Sequence, residues 1–226
     1  MKKYISIILI SLFVFSCSEK KNMTVTGNII GLQKGKLYLQ RFNDTLLVNV
    51  DSVELNGKSE FLLKANVLSP EIYLLKLAGT DKTVKFFGEK GNIKINTTLN
   101  TFNIKAAITG SENQKLLDKF NDNIQKFNDL GLDLFKEKLD AIIAKDQKKV
   151  NKVVEKIDNI EKRKLRFILN FTFKNASHEI APYVTLTELN NVKISVLDTI
   201  INSLSTEVKQ SKYGKQLIDF VANSKK

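Results

Sequence analysis

Near Gly110 the apolar residues of this 226-residue chain change their spacing, and that change separates two kinds of structure. Before it, apolar and polar residues alternate, as in Leu37/Leu39, Phe61/Leu63/Ala65, Ile93/Ile95 and Phe102/Ile104/Ala106/Ile108. A period of two sends successive side chains to opposite faces of an extended strand. After it, Leu116, Phe120, Ile124 and Phe127 recur at the three-to-four spacing that lines one face of a helix. Ser111 and Gln114 stand at the junction in the S-x-x-Q order of a capping box. The pattern predicts an α+β chain, with an N-terminal antiparallel β-sandwich or small barrel over residues 23–109. A helical domain over 110–226, built on a long helical hairpin, follows it.

Eight strands are predicted, over residues 24–30, 35–42, 46–55, 58–66, 71–78, 82–87, 92–98 and 102–109. Asn56-Gly57 has the residues that a two-residue hairpin turn needs, since glycine adopts positive φ without penalty. Gln33-Lys34-Gly35 and Gly88-Glu89-Lys90-Gly91 also read as turns. Asp51-Ser52 is expected to cap a loop at a strand end, and Pro70 to open an edge strand. In the second half, Leu134/Phe135, Leu139 and Ile142/Ile143 continue the first helical stripe beyond Gly131, where a kink or break is expected. Asp146 caps a second stripe of Val150, Val153/Val154, Ile157, Ile160, Leu165, Ile168 and Phe171, so that two helices meet near Ala144-Lys145-Asp146 as an antiparallel pair. Shorter helices are expected to the end of the chain.

The first seventeen residues have a different composition. Lys2 and Lys3 precede an apolar run from Tyr4 to Phe15, broken only by Ser6 and Ser11, and Ser16-Cys17 closes it. A helix over that run would be roughly 20 Å long, too short for the roughly 30 Å core of a bilayer. The order reads as a secretory signal, residues 1–17, with a lipobox at its end, followed by a linker over 18–22. This start resembles bacterial lipoprotein signals, and the resemblance implies that Cys17 is acylated and becomes the first residue. Ser18 after it resembles the lipoproteins sorted to the outer membrane, facing the periplasm. Cys17 is the only cysteine, which leaves no thiol for a disulfide, a redox pair or a thiolate metal site. The formal charge of +12 is nearly all lysine, with arginine only at positions 41, 163 and 166. Arginine is the residue that reads phosphates and bases with a bidentate fork, so no nucleic-acid partner is expected. The lysines read as a solvated surface, with an attraction to anionic headgroups near Lys20 and Lys21.

Gly27-Asn28-Ile29-Ile30-Gly31-Leu32, Gly35-Lys36-Leu37-Tyr38-Leu39, Val50-Asp51-Ser52-Val53, Asn56-Gly57-Lys58, Phe61 and Ser69-Pro70 resemble, in that order, the domain of unknown function number 4369. That domain heads thioredoxin-like, thiol:disulfide interchange lipoproteins of Gram-negative envelopes. The resemblance implies a fold and a compartment and no chemistry. In those proteins helices similar to the ones expected here lead into a thioredoxin fold with a C-x-x-C pair. The sequence ends at Lys226 without one, so no oxidoreductase role is carried over.

No residue set points to catalysis. His178 is the sole histidine, at an expected helix start beside Glu179, and reads as a capping or surface residue. Asp118/Asp122 and Glu137/Asp140 sit at helical spacing among lysines, as on solvated faces. Phosphate-cradling glycine motifs and H-E-x-x-H are missing, and no metal or cofactor is expected. Asp44-Thr45-Leu46, Asp51-Ser52-Val53 and Asp198-Thr199-Ile200 resemble an envelope O-glycosylation acceptor pattern, which makes Thr45, Ser52 and Thr199 candidates. The expectation is a non-enzymatic, lipid-anchored envelope protein that binds a protein, peptide or glycan partner. The alternative is an accessory subunit, or truncated relative, of a periplasmic thiol-disulfide oxidoreductase. Small-ligand carriage inside the sheet domain is a third reading.

Overall fold

The computed structural model describes residues 21–225, so the leader and Cys17 lie outside the described residues. Eight strands come first: β1 (Met23–Ile30), β2 (Lys34–Asn43), β3 (Leu46–Asn56), β4 (Glu60–Ala65), β5 (Glu71–Leu77), β6 (Thr83–Gly88), β7 (Gly91–Thr98) and β8 (Ala107–Thr109). They form two four-stranded sheets, ordered β4-β1-β7-β8 and β3-β2-β5-β6. Alternate residues point between the sheets, where Met23, Val25, Ile29, Leu37, Leu39, Leu63, Leu75, Ile93 and Ile95 are buried in one core. Each such side chain contributes about 1.5–3 kcal/mol by leaving water. The α+β architecture is the one expected.

Several local expectations need correction. β1 runs parallel to β7, from Met23 opposite Gly91 to Ile30 opposite Thr98, so this sheet is mixed rather than antiparallel. Alternation specifies which face a residue takes and says nothing of strand direction. Gly27 allows this pairing, because a Cβ there would stand 1.7 Å from the carbonyl oxygen of Ile95. Asn56-Gly57 is not a hairpin. Gly57 has the positive φ, 80°, but its N–H donates to the Gln33 carbonyl, extending the β2–β3 ladder before the chain crosses to the other sheet. Asp51 caps no loop end. It sits within β3 at a bulge, where Leu39 pairs with Asp51 and Gln40 with Asn49. Its carboxylate accepts the backbone N–H of Ser52 at 2.9 Å and of Lys64 at 2.7 Å, tying β3 to β4 across the two sheet edges. Pro70 precedes β5, an interior strand. The eighth strand keeps only residues 107–109, because the chain turns at 101–104 to bury Phe102 and leaves Ile104 outside.

The chain enters this sandwich one residue before β1. The side chain of Asn22 donates to the Val67 carbonyl at 3.0 Å and accepts the Val67 N–H at 2.7 Å, while its backbone bonds Ala65 and Gly91. Asn22, the last residue of the expected linker, is therefore tied to the sheet.

The helices are α1 (Glu112–Ile143), α2 (Gln147–Lys174), α3 (Ile180–Glu188), α4 (Ile194–Ser203), α5 (Thr206–Gln210) and α6 (Lys212–Ser224). Helix α1 continues past Gly131, so of the expected kink or break the break does not occur. One glycine costs about 1 kcal/mol, less than the packing of a 32-residue helix against its neighbour supplies. α1 and α2 are antiparallel: Phe120 meets Phe167 and Phe171 near one end, and Glu137 pairs with Lys156 at 3.2 Å near the other. Ser111 and Asp146 cap the two helices as their side chains predict, accepting from Gln114 and Lys149. The second half of the capping box is absent. Instead of reaching back, the Gln114 amide oxygen accepts the N–H of Phe87 at 2.7 Å, so the helix docks on the free edge of β6.

The helices cover the β5-β6 side of the outer face of the β3-β2-β5-β6 sheet. Ile72 and Phe87 leave the sandwich on that side and pack with Leu117, Ile180, Val184 and Leu217. Phe87 meets the edges of Tyr183 and Tyr213 at 5.4 and 6.1 Å, and the Tyr213 hydroxyl accepts the N–H of Ile72 at 2.9 Å. Glu71, buried at the same seam, is held between Lys212 and Arg41.

Candidate functional site

The outer face of the other sheet is open, and a cavity of about 1170 Å³ lies on it. Its floor follows from strand register. Thr26 stands between Leu62 and Lys94, and Asn28 between Glu60 and Asn96, with Ala107 beyond Asn96; Ile30 is opposite Thr98. These are the outward positions of strands whose inward residues, such as Val25, Ile29, Leu63, Ile93 and Ile95, fill the core. The end of β3 with the crossing to β4 (Val53–Asn56 and Lys58) forms one wall, and Thr101 and Lys105 form the other.

The second wall is held by its own hydrogen bonds. Thr98 and Thr101 join their hydroxyls at 2.8 Å, the Thr101 N–H donates to the Thr98 oxygen, and the Thr97 hydroxyl donates to the Lys105 carbonyl at 2.8 Å. On the floor, the backbone N–H of Asn28 donates to the Asn96 side-chain oxygen at 3.2 Å. The side-chain oxygen of Asn28 is shielded from solvent and has no hydrogen-bond partner among the described residues. A buried acceptor without a donor costs about 1–3 kcal/mol. Three lysines (58, 94, 105) and two glutamates (54, 60) border the trough. Fixed donors and acceptors on a rigid sheet can hold a polar chain. The lining residues include no histidine or cysteine.

The residues singled out in the sequence lie elsewhere. His178 borders a groove of about 520 Å³ with Glu89, Glu112, Glu179 and Glu207. Glu89 is engaged there, accepting from the Glu112 N–H at 2.7 Å and from the Asn113 amide at 3.0 Å, so it caps α1. Among the described residues no three His, Cys, Asp or Glu are placed to hold a metal ion. Asp118 borders a third cavity, about 480 Å³, between sandwich and helices. Burial holds its carboxyl above the usual range, against the hydrogen bond that the Gln114 amide donates at 2.6 Å. Asp122 and Asp140 are exposed, and Glu137 pairs with Lys156. Thr45, in the two-residue turn between β2 and β3, Ser52 on β3 and Thr199 on α4 are all exposed. The structure brings none of these candidates to the trough.

The trough itself was missed because each of its residues, taken singly, is an ordinary outward polar position. Only the register shows that Asn28 and Asn96, 68 residues apart, are neighbours. No helix among the described residues is long and apolar enough to cross a membrane. No curated protein and no solved structure matches the chain. Residues 23–117 match the family model described as "Domain of unknown function (DUF4369)", so the sandwich and the first turns of α1 carry a domain of that family.

Proposed function

We propose that this is a non-enzymatic binding protein of the cell envelope, anchored by lipid on Cys17, whose trough holds an extended polar partner, a glycan strand or an unfolded peptide. The observation that carries this reading is the bare outer face of the β4-β1-β7-β8 sheet, with its row of Glu60, Asn28 and Asn96 along the floor of the trough. Extended ligands suit such a face, because register partners on neighbouring strands repeat their hydrogen-bonding groups across the sheet. The signal-like run before Cys17 supports the anchor, since acyl chains contribute about 0.8 kcal/mol for each buried CH₂.

The test uses the full chain in detergent, titrated with soluble envelope glycan fragments and with unstructured peptides while backbone amide shifts are followed. Shifts should concentrate on Thr26, Asn28, Asn96 and Thr98, and Asn28→Ala with Asn96→Ala should weaken binding about tenfold or more. Absence of binding by both ligand classes, or binding that ignores both replacements, would overturn the reading. The anchor is tested separately: Cys17→Ala should release the chain from the membrane fraction, and a variant that still sediments with membranes refutes it.

A further inference from the structure

The far half of the helical hairpin carries an apolar face that nothing among the described residues covers. Leu132, Phe135, Leu139 and Ile142 follow one another at intervals of three, four and three residues, which places them along one side of α1. This is not the side that meets α2. Glu137 faces Lys156 across the hairpin, and residues two positions away on a helix point about 200° round from it. Phe135 and Leu139 on α1, and Val154 and Asp158 on α2, therefore share the opposite face, with Leu139 level with Val154. Leu132, Phe135, Leu139, Ile142, Ile143 and Val154 are between 37 and 79 % exposed, whereas Ala141 and Val153 in the seam are buried.

We infer that this face pairs with the same face of a second copy, two hairpins closing into a four-helix bundle. The uncovered apolar side chains present roughly 700 Å², close to the roughly 800 Å² that each partner contributes to a stable interface. It also exceeds what a monomer leaves as a contiguous patch without a use. The charges at its border decide the direction of pairing. With the two-fold axis along the hairpin, α1 of one copy lies over α2 of the other, and Lys136 falls level with Asp158 of the second copy. The unlike pair favours this arrangement, and either direction of pairing leaves every adjacent pair of helices antiparallel, as in simple four-helix bundles. This pairing is independent of the trough, and of what the trough holds.

The experiment is the mass of the full chain in a mild detergent, by sedimentation equilibrium at micromolar concentration. A dimer is expected, and Leu139→Glu or Phe135→Glu should raise its dissociation constant about thirtyfold or more. Both positions are exposed in the isolated chain, so the circular dichroism and melting curve of a monomeric variant should stay close to the parent's. Lys136→Glu and Asp158→Lys should each weaken the dimer, and the double variant should restore it. A parent chain that stays monomeric overturns the proposal, including one that binds lipid vesicles or a different protein through this face. A dimer indifferent to Leu139→Glu and Phe135→Glu overturns it equally.

Discussion

The two sheets of the sandwich are alike in strand number and share one core, yet their outer faces have opposite fates. In β5 the run Ile72-Tyr73-Leu74-Leu75 is apolar on both sides, with Tyr73 and Leu75 turned to the core between the sheets and Ile72 turned to the helices. In β4 and β7 burial alternates strictly, and the outward positions hold Glu60, Leu62, Lys94 and Asn96. A strand covered on both faces reads as a continuous apolar run, and one covered on a single face reads as alternation. The difference teaches where the helical domain docks and which sheet it leaves free for a partner.

That contrast can be broken from the covered side first. Phe87→Ala removes the ring around which Tyr183 and Tyr213 are arranged, and it should cost about 3–5 kcal/mol in denaturant unfolding. A loss below 1 kcal/mol would mean that the helices hardly depend on the sheet. The next effect is alkaline. Burial pushes the hydroxyl of Tyr73 from 10.0 up to about 12, and burial raises Tyr213 as well. The unfolded chain ionises first, so the stability these phenols contribute is complete below pH 10 and is lost as pH rises from 10 towards 12. For Tyr73 the loss is on the order of 2 kcal/mol. Unfolding at stepped pH should show it, and Tyr73→Phe should lessen it. The smallest effect belongs to the bare face, where Lys94→Ala should change stability by no more than about 0.5 kcal/mol. A large cost there would show that the open sheet is structurally committed rather than available.

Much of this was legible from one sequence, and the parts that were not share a cause. The strand segments, the Ser111 and Asp146 caps and the antiparallel hairpin all follow from signals within a few residues of one another. The parallel β1–β7 pairing, the crossing after Asn56-Gly57 and the burial of Phe102 depend on partners that are distant along the chain. Gly57 does take the positive φ that its residue type suggested, but the next strand's destination is set by Asp51 and by the ladder of β1 with β4. Gln114 carried the sequence mark of a capping box and spends its side chain on Phe87 instead. Gly131 was overweighted, because a local propensity was set against long-range packing. The trough was illegible for the same reason as the pairing, since polar outward residues become a site only when the register aligns them.

The clasp at Asn22 has a mechanical consequence. If the acyl chains sit on Cys17, the five residues from there to Asn22 reach at most roughly 18 Å, and any tug on the anchor is delivered to the head of β1. That strand lies inside its sheet, with six register pairs to β4 on one flank and eight to β7 on the other. Pulled lengthwise, it is loaded in shear, so both ladders resist together instead of unzipping bond by bond, and the tether meets the body at one of its firmest points.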